Sequence, residues 1–442
     1  MNFAIVRYLI GWMLGIESIF LLLPALTAVI YGEAELPAYL TAAAISLAGA
    51  ALLCHRKPKN TRFYAREGYV TVALCWLVLA VIGALPFVLS REIPFFIDAL
   101  FETVSGFTTT GATILGDVEA LSHASMLWRC LTHWVGGMGV LVFMLIVLPL
   151  AGGQTIFLMR AESPGPSVSK MSPHMRDTAT ILYAIYFGLT VLQMILLLIG
   201  GMPFFDAICV SLGTAGTGGF GNWNDSIAHY NSAYLQNVIT VFMILFGINF
   251  SAYFLILTRK FRQAFRIEEI RVYLGVIFVF AGLIAFNVRP MFGSLRESFH
   301  HALFQVASII TTTGFSTVDF DRWPTFSRAL LVLLMFIGAC AGSTGGGIKC
   351  SRILLLGKSV KKEMMCLIHP RLVRVNKMDG QRVPHEVMRS INVFVVAYAF
   401  IFILSLLIIS LNCEDLVTCF TSVATTLNNV GPGLSLCGPT CN

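Results

Sequence analysis

One pattern recurs four times along the chain and constrains its fold more than any other feature. A long apolar run is followed by a short segment, a Thr- or Gly-rich stretch and, in the first three copies, a second long apolar run. Aligned without gaps on one glycine, the short segments read DALFETVSGFTTTG (98–111), DAICVSLGTAGTGG (206–219), HALFQVASIITTTG (301–314) and TCFTSVATTLNNVG (418–431). The first and third share Ala-Leu-Phe, a serine and Thr-Thr-Thr-Gly at matching positions, and the four anchor glycines lie 108, 95 and 117 residues apart. Self-similarity of this kind marks a repeated structural unit.

The long runs are membrane helices. A helix needs about 20 mostly apolar residues to cross a bilayer, and the chain offers such runs at 69–89, 124–150, 178–200, 232–257, 270–286, 326–356 and 388–411. Two more, 3–30 and 37–54, precede the repeats. The first is too long for a signal peptide and lacks a small-residue cleavage site. Only 12% of the 442 residues are charged, where a soluble domain carries about 25%. The short segments cannot span, so they read as re-entrant half-helices, and non-helical backbone at membrane depth requires a cavity lined by protein or water. The expected fold is an all-α polytopic membrane protein with four parallel repeats of helix, pore helix and helix (M1–P–M2) around a central pore. The segmentation is 1–68 for two extra helices and a basic loop, 69–157, 158–258 and 259–387 for three repeats, and 388–442 for an incomplete fourth.

Charge sets the orientation. With the N-terminus placed in the cytoplasm, 24 of the 30 Lys and Arg fall on the inner side, as the positive-inside rule requires. The net charge of +7 therefore serves topology in a lipid bilayer and calls for no nucleic acid. Every copy begins on the same side, so the repeats are parallel. Inverted repeats with broken helices would instead suggest alternating access.

The stretch ending in each anchor glycine has the chemistry of a cation filter. Backbone carbonyls can replace a cation's hydration shell, and glycine tolerates the positive φ needed to aim them. A half-helix running inward points its partly negative C-terminus at the path. The candidate filter residues are Thr109, Thr110 and Gly111; Thr217, Gly218 and Gly219; Thr312, Thr313 and Gly314; and Asn429, Val430 and Gly431. The outer loops hold 14 of the 23 acids, Glu102 and Asp206 among them, a charge balance that concentrates cations.

Other features admit blander readings. The run 342–349 looks like a phosphate loop, but Ile348 interrupts the Gly-Lys pair and Cys350 follows Lys349, so it fails the motif and reads as a break in the third M2. Glu17 lies mid-helix, where an acid is either functional or a neutral packing residue. Gly11 and Gly15 form a helix-packing pair. His301 aligns with Asp98 and Asp206 and reads as a pore-helix residue, while His133 and Trp134 suit an outer helix end. The 11 cysteines show no zinc spacing; Cys413, Cys419, Cys437 and Cys441 cluster closely enough for a disulfide. No constellation of metal-binding acids, or of nucleophile and base, supports an enzyme such as a lipid-linked transferase.

The motifs SGFTTTGAT (105–113), HWVGGMGVLVFMLIVLP (133–149), RAESPGP (160–166), TTTGFST (311–317), GSTGGGIK (342–349) and NNVGPG (428–433) together resemble the bacterial Trk/Ktr potassium-uptake family, nearer its TrkH/TrkG-type pore subunits than KtrB. The resemblance spans nearly the whole chain. It implies K+ as the transported ion with no prosthetic group, and glycine at all four anchors as the mark of potassium selectivity. It implies an intramembrane gate at Gly345, Gly346, Gly347 and Lys349. It further implies a homodimer in the bacterial inner membrane, with one pore per subunit and control by a cytosolic nucleotide-binding subunit of the TrkA type. Coupling of potassium to Na+ or H+ remains the alternative mechanism. Only 11 residues follow Gly431, so the fourth M2 that the family pattern contains is missing, and the chain reads as a truncated or interrupted form.

Overall fold

A computed structural model describes residues 2–58, 65–147, 175–369, 371, 375–412 and 415–439. Within it the fold is built almost wholly of helices. Two of them, α1 (Phe3–Tyr31) and α2 (Leu36–Cys54), precede the repeats. The first repeat contains α3 (Ala65–Ser90), α4 (Phe96–Phe107) and α5 (His123–Val147). The second contains α6 (Met175–Ile199), α7 (Phe204–Gly216), α8 (Ala233–Phe246) and α9 (Phe250–Leu257), followed by the short α10 (Phe261–Ala264). The third contains α11 (Glu268–Val288), α12 (Leu295–Ile310), α13 (Thr325–Ile337) and α14 (Cys350–Ile368). A hairpin of β1 (Lys377–Met378) and β2 (Gln381–Arg382), pairing Lys377 with Arg382, leads to α15 (His385–Ile409) and α16 (Leu416–Asn428).

Among the described residues six helices are long and apolar enough to cross a membrane, and a seventh span is formed if α8 and α9 are taken together. Lipid is the solvent that suits them. In α15 only 6% of the most apolar stretch is buried in protein, and Val396, Phe400, Leu404 and Leu407 are all exposed. Soluble monomers rarely tolerate so large an apolar patch. In α11, Tyr273, Ile277, Ala281 and Ile284 are buried while Phe278, Val279 and Phe286 are exposed, so the helix is apolar on both its protein face and its outer face.

The residues form two compact units, one containing α1–α7 and the other α8–α16. The second repeat is divided between them: its M1 and pore helix belong to the first unit and its M2 to the second. Two features differ from the sequence expectation. The second M2 is not one helix but turns through 93° between α8 and α9. The break in the third M2 is also longer than 342–349. It opens at Gly338, whose φ of +72° ends α13, and closes at Lys349. The motif at 160–166 lies outside the described residues, as do Cys413 and Cys441. The Cys437 sulfur meets the Ser422 hydroxyl at 2.9 Å.

In the first unit α1 and α2 pack through small residues. A Cβ on Gly11 would stand 2.6 Å from the Cys54 sulfur and 2.9 Å from Leu53 Cβ, and one on Gly15 would meet Ala50 at 3.7 Å. Close approach lets hydroxyls bridge the helices: Ser18 donates to the Ala43 carbonyl at 2.9 Å and Ser46 to that of Leu14 at 2.8 Å. In lipid, where the hydrophobic effect does not drive helices together, such packing and hydrogen bonding carry the association. Gly11→Val should therefore force the pair apart at a cost of about 1–3 kcal/mol. Thermal unfolding in detergent measures this, and an unchanged midpoint would contradict the packing argument.

Candidate functional site

The four pore helices end in the same way. In each, the residue two before the anchor glycine is left-handed: Thr109 (φ 57°), Thr217 (54°), Thr312 (59°) and Asn429 (57°). Its N–H returns to the carbonyl three residues back, from Thr109 to Gly106, Thr217 to Thr214, Thr312 to Ile309 and Asn429 to Thr426. The next N–H reaches five back, from Thr110 to Ser105, Gly218 to Gly213, Thr313 to Ser308 and Val430 to Thr425, at 2.8–2.9 Å. This pair of bonds is a Schellman termination. Two residues beyond the left-handed position, the anchors Gly111, Gly219, Gly314 and Gly431 return to positive φ, between 78° and 93°.

Asparagine accepts such a φ readily, but threonine does not: a β-branched residue there is a genuine outlier, costing about 1–3 kcal/mol. Three threonines held this way show that the backbone path, rather than local preference, decides the conformation. Positive φ at alternate residues turns successive peptide planes, which lets their carbonyls share one face of the strand. That is the arrangement a carbonyl-coordinated cation requires.

Within each unit the filter segments come in pairs. In the first, a side chain on Gly111 would overlap the Gly218 carbonyl oxygen. In the second, a Cβ on Gly314 would lie 2.5 Å from the Val430 carbonyl oxygen and 3.1 Å from Pro432. The anchor of the odd repeat is thus seated against the carbonyl that precedes the anchor of the even one. The repeats also share side-chain ties. Ser105 donates to the Ala112 carbonyl and Ser308 to that of Phe315, both at 2.6 Å. Thr108 meets Thr110 at 2.8 Å, and Thr311 meets Thr313 at 2.7 Å. His301 reaches Thr317 at 3.1 Å, just as Asp206 takes a bond from Asn222 at 2.7 Å, so the pore-helix assignment of His301 holds. Asp415 caps α16. The Thr418 N–H, the Thr418 hydroxyl and the Val417 N–H hold its carboxyl below the usual range.

Several residues assigned to loops or helix ends are structural supports of the candidate filter segments. Glu102 and Arg129 are both buried and meet at 2.6 Å. The Glu102 carboxylate also accepts from the Thr113 hydroxyl at 3.0 Å and the Ile114 N–H at 3.1 Å, immediately past the first filter segment. The Arg129 guanidinium lies 4.1 Å from the centre of the Phe220 ring, whose other neighbour is the His133 ring, stacked at 4.1 Å. His133 is fully buried, and its Nδ1 accepts from the Phe220 N–H at 3.4 Å. His133 therefore backs the second filter segment instead of marking an outer helix end, and the buried Trp134 donates to Thr190 at 3.2 Å. The glycines that follow bring α5 against the pore helices, for a Cβ on Gly136 would overlap the Phe107 carbonyl and one on Gly137 would lie 2.7 Å from Gly216. Glu17 is buried beside Trp76, Phe107 and Trp128, and neither of its oxygens has a hydrogen-bond partner, the behaviour of a packing residue. No group of three metal-ligating side chains occurs among the described residues.

The break at residues 338–349 touches the third and fourth candidate filter segments directly. The Gly346 N–H donates to the Thr312 hydroxyl at 2.6 Å and the Gly347 N–H to the Asn428 carbonyl at 3.0 Å. The Lys349 ammonium folds back onto the Gly345 carbonyl. The break also satisfies the bend between α8 and α9: Cys340 N–H donates to the Gly247 carbonyl and Phe250 N–H to that of Gly342, each at 3.0 Å, and Thr344 donates to the Phe246 carbonyl at 3.3 Å. Two interrupted helices thus supply each other's missing backbone partners. The only sequence sign of the bend is Gly247-Ile-Asn249, whose asparagine caps α9 through the Ser251 N–H at 2.8 Å.

Comparison with known proteins shows the family. The family described as TrkH, cation transport protein, matches residues 38–437. The chain belongs to the TrkH family. It is 38% identical to the Trk system potassium uptake protein TrkH of Salmonella typhimurium, over 99% of this chain and 92% of that one. Its identity to the Trk system potassium uptake protein TrkG of Escherichia coli is 33%, over 97% and 90%. The crystal structure of the potassium transporter TrkH from Vibrio parahaemolyticus superposes with a TM-score of 0.89 at 32% identity, covering 98% of this chain and 91% of that one. Like that family, the protein is a multi-pass protein of the bacterial inner membrane.

The buried pair gives a test of what holds the filter. Arg129→Met leaves the Glu102 charge stranded and should cost about 3–5 kcal/mol. Adding Glu102→Gln, which keeps an acceptor for Thr113 and Ile114, should recover part of that loss. Thermal unfolding of the two variants checks the order, and a double variant less stable than Arg129→Met would contradict it.

Proposed function

We propose that the chain carries potassium across the inner membrane, the ion passing over the carbonyls of the four segments that end at Gly111, Gly219, Gly314 and Gly431. The observation that carries this reading is the identical backbone path at all four pore-helix ends, three of them strained at threonine. Relatives that cover nearly the whole chain are named potassium uptake proteins, which makes K+ the fitting cargo. It is substrate here and needs no titratable ligand.

In this reading the break at 338–349, with Gly345, Gly346, Gly347 and Lys349, is the gate, because its backbone is bonded to the residues at the inner end of the filter, Thr312 and Asn428. The N-terminus lies in the cytoplasm, as the distribution of Lys and Arg supports. The protein works as a homodimer under a cytosolic nucleotide-binding subunit of the TrkA type, which the family resemblance supports. That partner would meet the basic stretch around Lys361 and Lys362 on α14, beyond the gate.

Gly111→Ser tests the filter. The serine would face both a φ of 78° and the Gly218 carbonyl, displacing two segments at once. Rubidium uptake into proteoliposomes in competition with sodium should lose about tenfold in selectivity, which is ~1.4 kcal/mol. Gly116→Ser, where a Cβ meets nothing within 4 Å, should change nothing. Unaltered selectivity in Gly111→Ser would exclude the first segment from the filter.

A further inference from the structure

Two backbone N–H groups at the break go to a side chain outside both the filter and the bend. Ala341 N–H, near its entry, and Ser351 N–H, just past its exit, both donate to Glu269 Oε1, at 2.7 and 3.0 Å. Glu269 is only 3% exposed and sits in the first turn of α11. One carboxylate oxygen therefore pins two points ten residues apart in sequence, and it does so on a helix that is not part of the broken M2. Lys349, between those points, adds its charge to the same neighbourhood. The adjacent residue fastens that turn to the hairpin. Glu268 N–H donates to Asp379 Oδ1 at 2.7 Å, its carboxylate pairs with Lys358, and Lys358 also donates to the Lys377 carbonyl at 2.8 Å.

We propose that Glu269 is the positioning residue that holds the break closed beneath the filter, an inference that rests on the gate reading given above. The chemistry suits the task. A charged acceptor makes hydrogen bonds to N–H groups about twice as strong as a neutral one, and removing it strands two buried donors at once. Because the same oxygen holds both points, losing it loosens the break at both at once, while the contacts of the filter strands with one another stay intact. The first turn of α11 is also where the hairpin attaches, so a load on the hairpin reaches both flanks of the break through a single turn of helix.

The test uses the full chain in proteoliposomes without any partner protein. Glu269→Ala should raise basal rubidium flux about tenfold, the effect of losing bonds to a charged acceptor, with the rubidium-to-sodium ratio kept. Native Cys340, inside the break, and Cys350, just past it, are both buried, so both should become reactive to a maleimide in that variant. Glu269→Gln keeps an acceptor oxygen for both N–H groups and should raise flux by a much smaller factor. Deleting residues 345–347 tests the gate itself. If the deletion raises flux while Glu269→Ala leaves flux and both cysteines as they were, the role of Glu269 is overturned and the gate stands. If neither variant raises flux, the gate reading fails. Equal rises in the Ala and Gln variants would also overturn the proposal. Should Glu269→Ala not fold, Glu269→Asp, too short to hold both donors, should give an intermediate rise, and no rise would overturn it.

Discussion

Every part of this structure answers to one constraint: backbone N–H and C=O groups at membrane depth find no water, so each must be paired within the protein or line a cavity. Helices that cross completely meet the demand alone. The protein departs from continuous helix where four pore helices stop and where two M2 helices break, and at each place the backbone is paired in a specific way. The pore helices end in matching Schellman bonds. The bend at 247–249 and the break at 338–349 bond to each other, and further bonds of the break go to the candidate filter segments, to Glu269 and to its own flanking helix. Beyond each left-handed residue the anchor glycine returns to positive φ, the conformation that can turn carbonyls toward a cation.

The same constraint explains where the charges sit. A buried charge is tolerated when it serves several backbone or hydroxyl donors at once. Glu102 does so for Thr113, Ile114 and Arg129 behind the first filter segment, and Glu269 does so at the two flanks of the break. Glu17, with no partner for either oxygen, shows the contrasting case of an acid kept only by packing. Taking Glu102 and Arg129 into the interior also removes them from the outer loops where the sequence suggests they belong, so the acids free to attract cations are fewer than a tally of the loops indicates.

Much of the fold is legible in the sequence because membrane helices and internal repeats leave coarse marks. The limits of α1, α2 and the short pore helices follow from runs of apolar residues and from the gapless alignment on four glycines. Each candidate filter segment lies at the end of its pore helix, where glycine at the anchor reports the positive φ directly. What the sequence hides is long-range pairing. Nothing in Thr109, Thr217 or Thr312 signals a left-handed backbone, since threonine resists it. Apart from Gly247-Ile-Asn249, the bend leaves no mark in the mostly apolar run 232–257, because its missing hydrogen bonds are met by residues some 90 positions later. Glu269 looks like an ordinary acidic helix start, and His133 like an interfacial residue, until the partner segments are in place.

The central claim is that potassium is coordinated by backbone carbonyls of the four equivalent segments. Rubidium or thallium soaked into the protein and located by anomalous diffraction tests it most directly. The account predicts ions in direct contact with carbonyl oxygens of the segments 109–111, 217–219, 312–314 and 429–431, and their loss when sodium replaces them. Ions held instead by carboxylates such as Asp98 or Asp206, with none at the carbonyls, would contradict it.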